Sequence, residues 1–285
     1  MRVWTLGRRA AVGAGALATV LIGAAGAAAA PSLEVRNAAA RVVVIPEARS
    51  RIAVTLIHAN AQLPIRITRA GDKVIVRGDV GHQIHGCPAF AGGRVVQIRG
   101  RGPFALNDLP RLVVRAPLDV HVSVGEAVFG AVGRGASLDL ANQGCGDWVI
   151  GNMRGKLKIS QAGSGNARAG SAGGADLSMA GSGSISIGNI RMGLTAISSS
   201  AGDITATSVT GPLNVRVAGS GDIRAKTGRV TTMNASIAGS GNVWFGGVAD
   251  SLVASVAGPG GINVAQVSGP VTRRIFGSGA IRVGK

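Results

Sequence analysis

Eight times between Gly144 and Gly279 the chain writes a Gly-x-Gly triplet or a close variant of it, and consecutive copies begin 18 to 20 residues apart. The copies are Gly144-Cys145-Gly146, Gly163-Ser164-Gly165, Gly181-Ser182-Gly183, Ser200-Ala201-Gly202, Gly219-Ser220-Gly221, Gly239-Ser240-Gly241, Gly258-Pro259-Gly260 and Gly277-Ser278-Gly279. A fixed period of this length means one supersecondary unit stacked on copies of itself. Counting the first residue of each triplet as one, position five is apolar in every coil: Trp148, Ala167, Ile185, Ile204, Ile223, Val243, Ile262 and Ile281. Position seven is apolar too (Ile150, Ala169, Ile187, Ala206, Ala225, Phe245, Val264, Val283), while position six between them is mostly polar. Alternation with period two is the signature of a strand with one buried face.

A second alternating run follows in the same coil, seen at Leu157/Ile159, Leu213/Val215/Val217 and Leu252/Ala254/Val256. The period, the β-branched residues and the glycine punctuation exclude helix. A Gly/Ser linker would not carry two apolar strands per period. Identical positions recur once per coil without reversal, which predicts parallel strands and hence an all-β parallel β-helix, or β-solenoid, over residues 125–285. The glycines are expected at tight corners that need a positive φ or close approach to the adjacent coil.

Residues 31–124 are less regular. Arg41–Ile45, Ile52–Leu56, Ile65–Ile67, Val74–Val76 and Val95–Ile98 read as short strands, with Ala70-Gly71-Asp72-Lys73 as a hairpin turn. This segment is expected to be a β-rich N-terminal cap, continuous with the repeats, because the free edge of a solenoid's first coil would otherwise recruit another chain.

The phrase Ala-Gly-Ser-Gly-(Asp/Asn)-Ile, as in Ala218–Ile223 and again with Val at Ala238–Val243, resembles the bacterial GIN domain, described as an autotransporter-adhesin head domain. The resemblance runs from about Leu33 to the C-terminus and is strongest after Gly144. It implies an exported β-solenoid protein and supplies no catalytic residues to carry across.

The N-terminus points to export on its own terms. Arg2, Arg8 and Arg9 precede an apolar run from Ala10 to Ala30 that ends in small residues, so residues 1–30 read as a signal peptide. Arg8-Arg9 invites a twin-arginine reading, but Ala10-Ala11 is not the bulky apolar pair that follows in such signals. The Ala/Gly-rich run is weakly apolar for an uncleaved anchor, and no membrane span is expected in the mature chain. The expected location is the periplasm or surface of a bacterium, or the medium around it.

The chain carries 30 Lys+Arg against 13 Asp+Glu, and a leader holding three of the arginines leaves about +14 on the rest. Outside a cytoplasm the matching partners are anionic envelope polysaccharide or another acidic cell-surface ligand. Nucleic acid is disfavoured, because the basic residues are not gathered with aromatics and Tyr is absent. Position six would place Arg168, Arg224, Trp244, Asn263 and Arg282 in one line along the rod, a candidate ligand face with a flat aromatic beside hydrogen-bond forks.

No catalytic constellation, cofactor site or metal site is expected. His82, His85 and Cys87 lack a nearby fourth ligand. Asp147, Asp203 and Asp222 share position four with Asn166, Ser184, Asn242, Gly261 and Ala280, which breaks any calcium-turn pattern. Asp203 and Asp222, on neighbouring coils, keep open a polysaccharide lyase or hydrolase as the alternative to a non-catalytic adhesion or structural rod. The two cysteines, Cys87 and Cys145, are an even count in a chain read as exported and form a disulfide candidate tying cap to coil.

Overall fold

The computed structural model describes residues 30–90 and 93–284. The apolar run read as a leader lies outside the described residues up to Ala29. Among the described residues no helix is long and apolar enough to cross a membrane. The parallel β-helix expected from the repeat is the observed architecture. Each coil contributes one strand to a first sheet, turns at the Gly-x-Gly corner, contributes one strand to a second sheet, and returns through a short third side.

Five strands open the chain: β1 (Ser32–Arg36), β2 (Ala39–Glu47), β3 (Ala53–His58), β4 (Arg66–Ala70) and β5 (Lys73–Arg77). Four short ones, β6 (Ile84–Gly86), β7 (Ala89–Phe90), β8 (Gly93–Ile98) and β9 (Gly102–Ala105), form a lid, and β10 (Arg111–Pro117), β11 (Asp119–Val124) and β12 (Ala127–Val132) lead into the repeats. The stacking order departs from chain order here. β1 lies between β5 and β11, parallel to both, and β2 lies between β10 and β12, again parallel to both. The free edges are then closed by antiparallel strands, β4 on β5 in the first sheet and β3 on β10 in the second. These reversed strands interrupt the parallel stacking and cover the edges of β5 and β10 at the N-terminal end.

From β11 and β12 onward the coils stack in sequence order. The first sheet continues through Ser137–Asn142, Lys156–Gln161, Gly174–Met179 and Leu194–Ser198 to Val271–Phe276, and the second through Trp148–Ile150, Ala167–Ala169 and Ser184–Ile190 to Ala280–Val283. Positions five and seven fill the core: Ile185, Ile204, Ile223, Val243 and Ile262 are in register and no more than 2% exposed. Trp148 fits the column because its neighbours are small. Its ring occupies the space a Cβ on Gly130 would need, Ala167 lies on its other side, and its Nε1 donates to the Val128 carbonyl at 3.1 Å.

Close approach explains the corner glycines. A Cβ on Gly163 or Gly181 would be driven into the carbonyl oxygen of the first glycine of the preceding coil. Only later, at Gly239, Gly258 and Gly277, does the first glycine also take a positive φ, of 144°, 123° and 111°. Three buried polar side chains line the inner side of these corners in one column, Asn142, Gln161 and Ser198. Asn142 Nδ2 donates to the Gly146 carbonyl at 2.8 Å, and Ser198 Oγ repeats that bond to Gly202 at 2.8 Å. The Gly146 and Gly202 carbonyls, turned inward, are satisfied there, while Gln161 Oε1 accepts from Asn142 Nδ2 at 3.0 Å and the buried Gln161 Nε2 is left without a partner.

At the C-terminal end the column Leu140, Ile159, Leu177, Ala196, Val215, Ala235, Ala254 closes on Arg273. Arg273 is exposed at this end, where its guanidinium blunts the last edge.

Candidate functional site

The outer face of the second sheet is covered at one end and open beyond. The lid packs Val96, Ile98, Phe104 and Leu109 against Ala39, Ala127 and Phe129, which point outward from β2 and β12, in a second apolar core. Its edge is pinned twice. Arg94 Nε meets Asp147 Oδ2 at 2.7 Å, and Cys87 and Cys145 are joined through their sulfurs with Cα atoms 5.8 Å apart. Cys145, in the corner place that Ser takes in other coils, faces the lid.

Past that edge the position-six residues run in strict register: Val149, Arg168, Ser186, Thr205, Arg224, Trp244, Asn263 and Arg282. The five sequence candidates are thus in one column, with arginines on every third coil, about 14 Å apart at the parallel-strand spacing. Beside the lid, a cavity of about 410 Å³ is lined by Asp147, Val149, Asn166, Arg168, Ser184 and Ser186.

Further along, the Trp244 ring lies over Gly246, whose missing side chain leaves room for it: a Cβ there would sit 2.5 Å from the ring's Cη2. The indole is therefore laid against the sheet and 39% exposed. Arg224 precedes it and Asn263 follows it in the column. Arg224 makes a loose contact with Asp222, Nη2 to Oδ2 at 3.6 Å, and keeps half its side chain in solvent. Lys226, exposed two residues after Arg224, adds a cation on the same strand face. Sequence reasoning missed Lys226 and Gly246. Their signal is a position-eight residue that is Gly in most coils, a lysine in one and the glycine beneath Trp244 in the next.

The position-four residues, considered for calcium or glycan chemistry, are engaged with backbone. Asp203 Oδ1 accepts the Asp222 amide N–H at 2.8 Å, and Asp222 Oδ1 accepts the Asn242 amide at 2.9 Å and its Nδ2 at 3.1 Å. Asp147 and Asn166 do the same one and two coils after the lid. These side chains staple one coil to the next. His85 Nε2 accepts from Arg99 Nε at 2.8 Å, Cys87 is committed to Cys145, and no group of three metal-ligating side chains exists among the described residues.

Residues 152–268 match the family model described as "Putative auto-transporter adhesin, head GIN domain". Among solved structures, the "Putative lipid binding protein from Parabacteroides distasonis ATCC 8503" is 18% identical, with a TM-score of 0.56 over 90% of this chain and 93% of that one. A "putative adhesin" from the same organism is 17% identical, with a TM-score of 0.49 over 89% and 92% of the two chains. The first likeness establishes a shared fold. No curated protein matches the chain.

Proposed function

We propose, starting from a chain that belongs over residues 152–268 to the head GIN domain family, that it is an exported, non-catalytic rod that binds anionic envelope polysaccharide along the open face of its second sheet. One observation carries the reading: the Trp244 ring laid over Gly246, with Arg224 before it and Asn263 after it in register. A flat, half-exposed indole offers a sugar ring an apolar surface, and the guanidinium offers a carboxylate or sulfate two parallel donors. Lys226 and Arg282 extend the positive strip. The net charge of about +14 outside the leader, 27 Lys+Arg against 13 Asp+Glu, draws a polyanion to the rod before any specific contact forms.

The glycan-active alternative is the weaker reading, since Asp203 and Asp222 spend their Oδ1 atoms on backbone amides of the next coil. The test is retention on an immobilised anionic polysaccharide. Arg224→Ala combined with Trp244→Ala should reduce retention about tenfold or more at low salt and leave the thermal transition nearly unchanged, and added salt should release the wild type. Wild-type retention indifferent to both substitutions would overturn the assignment of this face. Labelling of the protein on intact cells tests the proposed exposure, and a cytoplasmic pool alone would remove it.

A further inference from the structure

The outer face of the first sheet carries a charge pattern that the ligand site does not use. His121, Asp139, Lys158 and Asp176 follow one another in register on four consecutive strands, alternating cationic or protonatable with anionic. His121 Nδ1 and Lys158 Nζ both meet Asp139 Oδ2, at 3.4 Å and 3.1 Å, Asp176 Oδ2 meets Lys156 Nζ from the neighbouring column, and all four column residues are between a third and a half exposed. Of the two flanking outward columns in the same strands, one holds Asp119, Ser137, Lys156 and Gly174, and the other holds Ser123, Ala141, Ser160 and Ser178, with nothing larger than a serine. The face is flat there. On a chain with 30 basic and 13 acidic residues it is also a patch where the two signs balance.

We propose that this face is the contact between two copies of the chain, related by a two-fold axis that lies along the strand direction between Ser137–Asn142 and Lys156–Gln161. Such an axis keeps each column opposite itself and reverses the rod. Asp139 then faces Lys158 of the second copy and His121 faces its Asp176, and each contact is made twice, as an isologous interface requires. The order plus, minus, plus, minus is its own complement when reversed. A partner in the same direction would set like charges opposite, so the pattern selects the antiparallel arrangement.

The dimensions suit a stable contact. Six strand residues at about 3.3 Å give a width near 20 Å, and the eight coils placed symmetrically about the axis span about 38 Å at 4.8 Å each. That is about 750 Å² per copy, close to the roughly 800 Å² per partner of a standard specific interface. The small serine column lets the two sheets approach along one side of the charged column, while the net positive charge over the rest of the rod keeps copies apart elsewhere.

The experiment is sedimentation of the purified protein over a range of concentration and salt, with charge-reversed variants mixed. The wild type should dimerise at low salt and dissociate as salt rises. Asp139→Lys alone and Lys158→Asp alone should each weaken association by at least about tenfold, because every contact is duplicated by the symmetry and like charges now oppose. An equimolar mixture of the two variants should regain the dimer, since all four contacts become complementary in the mixed pair. The double variant Asp139→Lys/Lys158→Asp keeps its internal pair and should dimerise by itself, which holds the test open should either single variant unfold. A wild type that stays monomeric at low salt, single variants that associate like the wild type, or a mixture that fails to regain the dimer would each overturn the proposal.

Discussion

Replacing Ile223 by Ala tests the inside-outside assignment of the whole repeat. Ile223 is 2% exposed and stacks in register between Ile204 and Val243. Removing three carbons forfeits about 2.4 kcal/mol of transfer free energy at roughly 0.8 kcal/mol each. A cavity term adds to this, and here it is large, because backbone hydrogen bonds hold adjacent coils at their spacing and Ile204 and Val243 cannot move together. The expected loss is therefore about 4 kcal/mol, in the upper half of the range for such truncations. Arg224→Ala, one residue on, removes a half-exposed side chain whose only acidic contact is 3.6 Å away in solvent, and should cost less than about 1 kcal/mol. Urea unfolding followed by far-ultraviolet circular dichroism reads both, with the slope checked so that midpoint shifts can be compared. If the two neighbours cost the same within about 0.5 kcal/mol, successive residues do not alternate between core and solvent.

The Cys87–Cys145 link spans a sequence separation of 58, so in the loop-entropy relation it contributes about 4 kcal/mol; reductant should lower the thermal transition and expose the lid to protease first, and two thiols alkylated without reductant would refute the pairing. Burial of Glu126 raises its carboxyl above the ordinary range, against amide donors at Asn37 and Ala38 that lower it. A raised folded pKa means the native state holds the proton longer, so stability falls as pH rises from the ordinary carboxylate range through the raised value. Glu126→Gln keeps an acceptor for the Asn37 N–H, now 2.8 Å away, and should be more stable than wild type at neutral pH with the gap closing in acid; a pH-independent gap in melting temperature would refute this. Arg273→Leu restores an apolar residue at the end of a core column and should produce end-to-end assemblies larger than the wild type by light scattering; an unchanged size distribution would show that Arg273 does not guard that end.

The rod was legible in the sequence because its main determinants are local and repeated. Alternation in a single coil tells which of Ile204, Thr205 and Ala206 face inward, and the period tells that the same positions meet in the next coil. The position-six column follows from those two facts. Its best feature does not, because the orientation of Trp244 depends on Gly246 having no side chain, and this is visible only once the ring has a place to lie. The role of position four was hidden for a related reason: Asp and Asn look like ligands in a list, whereas in the stack Asp147, Asn166, Asp203 and Asp222 each accept the amide of the following coil, and Ser184 donates its hydroxyl back to Asn166. Phe129 carried a readable signal, an aromatic at an outward position of β12, where only a cover such as the lid makes it tolerable.

The order of the first coils was not legible, and the cause is the same property that made the rest so. A parallel ladder reads only whether two strands present matching inward side chains. Val42 and Val44 of β2 meet that condition against Leu112 and Val114 on one side and against Gly130 and Val132 on the other. Periodicity therefore states that coils stack, without stating which coil neighbours which. What decides it is the ends: the antiparallel strands β3 and β4 fit only on β10 and β5, and once those are terminal, β1 and β2 are left to bridge the capped coil and β11 and β12. The first strands of the chain thus become interior ones, with partners on both sides that follow them in sequence, and the N-terminal side of the rod is closed by residues 53–77.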